Sequence, residues 1–107
     1  MKIWLEENLP HKLRQHLPGY DVFTVAFMNW GGLRNGQLLA NAAAAGFDAL
    51  LTGDTGIEYE QNLAALPCAV VVVVQSESDA LEHIEPHLAA ILEVFRTLKP
   101  CTLVKVE

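Results

Sequence analysis

Residues 68–74 read CAVVVVV. An apolar run without alternation describes a strand buried on both faces, as in a parallel sheet covered on two sides, rather than a strand with one wet face. Working outward, the chain supplies what such a sheet needs. FDALL (residues 47–51) ends in the turn TGDTG, so residues 48–51 are expected to form the third of five strands, with 68–74 the fourth. KIWL (2–5) and YDVFTV (20–25) precede them, and TLVKV (102–106) closes the chain as the fifth.

Helical patterns fall between the strands. Asn8 can cap a helix with Pro10 in its first turn; Leu9, Leu13 and Leu17 follow at helical spacing, and Pro18-Gly19 ends it. Asn35 can cap GQLLANAAAA, which Gly46 stops. Residues 57–66 read as a short helix or irregular loop. Residues 82–98, with Leu88, Ile91, Leu92 and Phe95 apolar, give the last long helix, and Pro86 either lies in its first turn or breaks a preceding one. Strands alternating with helices predict an α/β fold, a five-stranded, mostly parallel sheet covered on both sides.

The 107 residues, 51% of them hydrophobic, suit one domain over 1–107. No apolar run approaches the roughly 20 residues of a membrane span. The opening MKIWLEENLPHK carries acids and a proline where a signal peptide is apolar. A cytoplasmic globular protein without a membrane partner is expected. Cys68 and Cys101 are too few and too far apart for a disulfide framework or a zinc site, and both read as buried free thiols.

Net charge is −6, and no lysine or arginine stands between Asn35 and Phe95, a span holding nine of the thirteen acids. A protein that grips nucleic acid by its own charge shows a basic face. Here only a small N-terminal patch, Lys2, Lys12, Arg14 and Arg34, is on offer, so phosphodiester chemistry requires a bound cation for much of its positive field.

Ligands of open parallel sheets bind beyond the carboxyl ends of the strands, near the point where strand order reverses. Asp54 lies just past the third strand, and Glu6 and Glu7 just past the first. Asp54 also suits a purely local role, organising its own turn. Carboxylates at adjoining strand ends fit a hard cation such as Mg²⁺, which takes oxygen ligands and can activate water against a phosphoryl group.

Larger pieces point the same way. KIWLEENLPHKL, TVAFMNWGGLRNGQLLANA, FDALLTGDTGIEYEQNL and CAVVVVVQSES, in this order and spacing, resemble the compact PIN-like nucleases found among toxins of bacterial toxin–antitoxin pairs. The most specific pieces are W-G-G-L-R-N-G before the second helix and T-x-D after the third strand. The resemblance runs nearly end to end. It implies a three-layer α/β/α sandwich, a ribonuclease (a hydrolase of RNA phosphodiesters) dependent on Mg²⁺ or Mn²⁺, a cognate antitoxin and a homodimer.

Matched residue by residue, Asp54 is the acid of T-x-D and Thr52 its threonine, which steadies the turn. Glu6 stands where the first metal-binding aspartate belongs, and Gln37 where the family has a glutamate. Glu6 sets its carboxylate about an ångström further out, Gln37 carries no charge, and Gly56 replaces a further acid of many relatives. Glu6, Asp54 and Gln37 are thus the catalytic candidates, with Glu6 and Asp54 as metal ligands.

Other residues carry two readings each. Lys12, Arg14 and Arg34 either contact RNA phosphates or form a solvated face. Asn8 either hydrogen-bonds near the metal or caps its helix. Tyr59, Gln61 and Asn62 touch substrate or close a loop. Trp30 stacks on a base or packs at the sheet edge. His83 and His87, four apart with Pro86 between them, read as solvated histidines rather than ligands. Two alternative functions remain open. One is a phosphoacceptor receiver domain, loosely imitated by Glu6-Glu7, Asp54, Ser76 and Lys105, although no helix follows the fifth strand. The other is an idle PIN-like module that binds a protein, for which neutral Gln37 speaks.

Overall fold

The computed structural model describes residues 1–6, 9–24, 35–60, 65–74 and 87–106. Strands β1 (Lys2–Leu5), β2 (Asp21–Thr24), β3 (Ala49–Thr52), β4 (Ala69–Val73) and β5 (Leu103–Val106) form one sheet in the order β2-β1-β3-β4-β5. Every pairing is parallel, so the fold is α/β with a wholly parallel sheet.

The apolar runs explain why the middle of the sheet is sealed. All residues of β3 and β4 are buried, which suits strands with neighbours on both sides and layers on both faces. Successive side chains point to opposite faces, and two cores follow. On one face Ile3, Leu5, Leu51, Val71 and Val73 pack with Leu9, Leu13, Leu17, Ile91 and Phe95. On the other, Trp4, Leu50, Val70 and Val72 pack with Leu39, Ala42, Phe47 and Ile57. A short 3₁₀ helix (His11–His16) and helix α3 (Leu88–Thr97) flank the first core, and helices α1 (Asn35–Ala44) and α2 (Ile57–Glu60) cover the second.

The first helix differs in kind from the expectation. It is a 3₁₀ helix, and Pro10 precedes it in extended backbone, φ −66° and ψ 134°, rather than lying in its first turn. The Leu13 N–H donates to the Pro10 carbonyl at 3.0 Å, an i to i+3 bond. Leu9, Leu13 and Leu17 are nonetheless all buried. Helix α1 starts at Asn35 itself rather than after it. It ends as expected on Gly46, φ 85°. The Gly46 N–H reaches the Ala43 carbonyl and the Phe47 N–H the Ala42 carbonyl, the paired bonds of a Schellman cap.

Other boundaries contract. Asp48 falls outside β3 and holds the start of β1 instead: its N–H donates to the Lys2 carbonyl, and its carboxylate accepts the Lys2 N–H, both at 2.8 Å. The Lys2 ammonium donates to the Ala45 carbonyl at 2.8 Å and lies 4.4 Å from the centre of the Phe47 ring. A cation there complements the carboxyl end of α1. Helix α3 begins at Leu88, and residues 82–86 lie outside the described residues. Cys68 is buried as expected, but Cys101 is exposed: it follows Pro100 in a surface turn with φ 58°, so its apolar neighbours do not enclose it. Among the described residues no helix is long and apolar enough to cross a membrane.

Candidate functional site

Strand β1 lies between β2 and β3, so the chain runs outward from β1 to β2 and then crosses back to β3. In this strand order the reversal point, where ligands of such sheets collect, is between the carboxyl ends of β1 and β3. Leu5 is in register with Leu51. Glu6 extends this ladder by one bond, its N–H donating to the Leu51 carbonyl at 2.9 Å. Its own carbonyl accepts the Leu9 N–H at 3.1 Å, so the backbone of Glu6 is held from both directions. Its side chain is half-buried.

Asp54 emerges two residues beyond β3 in a turn fixed by three bonds. Its N–H donates to Thr52 Oγ1 at 3.1 Å. Its Oδ1 accepts the Gly56 N–H at 2.9 Å, and its carbonyl accepts the Ile57 N–H at 3.3 Å. Thr52 is fully buried, and its hydroxyl steadies the turn through the bond from the Asp54 N–H, the role that the resemblance implies. The Oδ1 bond is an Asx turn leading into α2, so the local role of Asp54 is also realised. A carboxylate has about four acceptor positions, and the Gly56 N–H takes one of them and orients the group. Buried Ile57 anchors the helix beyond, while Tyr59 is 84% exposed beside the turn.

Gln37 is exposed in the first turn of α1. The far end of that helix meets Lys2, at the start of β1, so its beginning lies toward the sheet edge from which Glu6 and Asp54 emerge. Lys12 and Arg14 are exposed on the 3₁₀ helix, whose Leu13 packs on the opposite face from α1. Asn8, Arg34, Glu7, Trp30, Gln61, Asn62, Ser76 and His83 lie outside the described residues. His87 is half-buried at the start of α3. Among the described residues no three His, Cys, Asp or Glu side chains gather as a metal-holding group.

Two features were not read from the sequence. Gly56 is a donor to Asp54 in its own right, and the Asp-x-Gly spacing was the available signal. Lys105 is in register with Val72, which is in register with Thr52. Side chains in register share a face, so exposed Lys105 stands in the row that continues through Thr52 to Glu6. Nothing short of the strand register gives that alignment.

The carboxylates of Glu6 and Asp54 and the amide oxygen of Gln37 are hard oxygen donors, the type that Mg²⁺ or Mn²⁺ takes. A cleft of about 290 Å³ lined by Met1, Asp48, Leu98 and Pro100 lies elsewhere, by the start of β1, and has no part in this site. Comparison with protein-family models, with curated proteins and with solved structures finds no match, and the PIN-like resemblance therefore stands on the quoted motifs.

Proposed function

We propose that the chain is a metal-dependent ribonuclease of PIN-like type, the toxin of a toxin–antitoxin pair that a cognate antitoxin holds silent and that acts as a homodimer in the cytoplasm. One observation carries the reading: Glu6 and Asp54 leave neighbouring parallel strands at the same edge of the sheet, at its point of reversal. In this reading Glu6 and Asp54 hold Mg²⁺ or Mn²⁺, with Gln37 as a neutral third donor. The bound cation supplies Lewis acidity toward a phosphoryl oxygen and makes coordinated water more acidic.

The chain's own residues do the rest. Thr52 holds the Asp54 backbone N–H and the Gly56 N–H orients its carboxylate, which limits the reorganisation needed on binding the cation. Lys12 and Arg14, exposed beyond β1, with Arg34, offer charges to the RNA backbone. The acidity of the remainder limits how strongly RNA binds without a cation. The test is RNA cleavage by purified protein in Mn²⁺, beside Asp54→Asn. Loss of most of the cleavage supports the reading, and equal cleavage by both proteins ends it.

A second reading is favoured by two observations. The order β2-β1-β3-β4-β5 is that of flavodoxin-like sheets, receiver domains included, and Lys105 shares the row of Thr52. Phosphoryl transfer to Asp54 from acetyl phosphate, seen as a mass gain absent from Asp54→Asn, supports a phosphoacceptor. An unchanged mass excludes it.

A further inference from the structure

We propose that Cys68 and Cys101 are a paired redox site, in which a disulfide ties the start of β4 to the start of β5. Val70 is in register with Leu103, and the Val70 N–H donates to the Thr102 carbonyl at 2.8 Å. Cys68 and Cys101 each stand two residues back from this pair, just before the two strands begin. Adjacent strands lie about 4.8 Å apart, inside the roughly 4.4–6.8 Å Cα separation that a disulfide spans. The sulfur of Cys101 lies 3.8 Å from the carbonyl oxygen of Pro67, the group bonded to the Cys68 nitrogen, which brings Cys101 beside the backbone of Cys68.

The turn that delivers Cys101 is unusual. Its φ of 58° is the left-handed region that side-chain-bearing residues seldom occupy, and the Thr102 hydroxyl closes the turn on the Lys99 carbonyl at 2.7 Å. The two thiols also differ in access, with Cys101 exposed and Cys68 buried. Cys101 is thus the point of entry and Cys68 the resolving thiol.

With a small disulfide such as oxidised glutathione as the oxidant, the Cys101 thiolate attacks one sulfur and expels a glutathione thiolate, leaving a mixed disulfide. Cys68 then gives up its proton and attacks Cys101 Sγ, and a second glutathione departs and is protonated. Two protein thiols lose two electrons, and one glutathione disulfide becomes two glutathiones. The new bond staples the edge strand β5 to β4 at the sheet edge opposite Glu6 and Asp54. It acts on stability rather than on the candidate metal site.

The test treats the wild-type chain, Cys68→Ala and Cys101→Ser with oxidised glutathione, followed by intact mass, non-reducing peptide mapping and thermal melting. The wild type is expected to lose two hydrogens, to give a Cys68–Cys101 linked peptide from a single chain, and to melt at least about 5 °C higher. Cys68→Ala is expected to stop as a glutathione adduct on Cys101. A wild-type product that retains glutathione on Cys101, or links two chains, overturns the proposal. The wild-type map decides even if a variant fails to fold.

Discussion

Thr52 Oγ1 accepts the Asp54 N–H at 3.1 Å, and Thr52 is wholly shielded from solvent. A buried threonine at the end of an apolar strand therefore controls the backbone of the half-buried turn that follows. Thr52→Val keeps the shape and removes the acceptor, at an expected cost of about 1–2 kcal/mol. Thr52→Ser is expected to recover part of it. Urea denaturation midpoints check both, and a Val variant as stable as the wild type denies the hydroxyl its role.

Asp54 has a structural bond and a proposed chemical one, and two substitutions separate them. Asp54→Asn keeps an oxygen for the Gly56 N–H but removes the charge. Its stability is expected within about 0.5 kcal/mol of wild type, with Mn²⁺-dependent RNA cleavage down about 100-fold or more. Asp54→Ala removes the turn bond as well and is expected to cost about 1 kcal/mol. If Asn and Ala destabilise the chain equally, the Asx turn contributes nothing.

Gly46 ends α1 at φ 85°, and a Cβ built there meets nothing within 4 Å. The cost of Gly46→Ala is therefore backbone strain alone, about 1–2 kcal/mol. Thermal or urea unfolding measures it. A neutral substitution means that the cap relaxes into another conformation.

Burial raises the Cys68 thiol from 9.0 to about 11, with smaller contributions from the charges of Cys101 and Asp48. The folded state thus binds this proton more tightly than the unfolded one. The stability it contributes is present below about pH 9 and is lost as pH rises toward 11. Urea midpoints of the wild type are expected to fall across that window more steeply than those of Cys68→Ala. Parallel profiles would show that the thiol titrates as it does in the unfolded chain.

The sheet was legible because its apolar runs are short and bounded by turn residues: the residues of β3 and β4 have no wet face, and the valine run of β4 suits a strand. Gly46 was legible for the same kind of reason, since few residues tolerate its backbone. The first helix was harder. Leucines four apart fit a buried stripe, but nothing in their spacing told an α-helix from the 3₁₀ helix that Pro10 precedes. The exposure of Cys101 depends on a left-handed turn that its apolar neighbours concealed. Of the site, the pairing of β1 with β3, beyond whose ends Glu6 and Asp54 stand, followed from the sheet order expected of such a fold, whereas the row joining Lys105 to Thr52 needs the register of three strands.

Gln37 offers the cleanest separation of an impaired nuclease from an idle module. It is exposed in the first turn of α1, where no packing resists a change of side chain. A carboxylate near a helix N-terminus is favoured by the helix dipole by about 0.3–1 kcal/mol, so Gln37→Glu is expected to fold at least as well as the wild type. If Glu6 and Asp54 hold a cation, a third carboxylate tightens it, and half-saturation by Mn²⁺ is expected to fall about tenfold, with faster RNA cleavage. Calorimetric titration with Mn²⁺ reads the binding independently of any RNA, and the double variant Gln37→Glu, Asp54→Asn should lose the gain. A Gln37→Glu chain that binds Mn²⁺ no better than the wild type removes Gln37 from the site, whatever the fate of the other two acids.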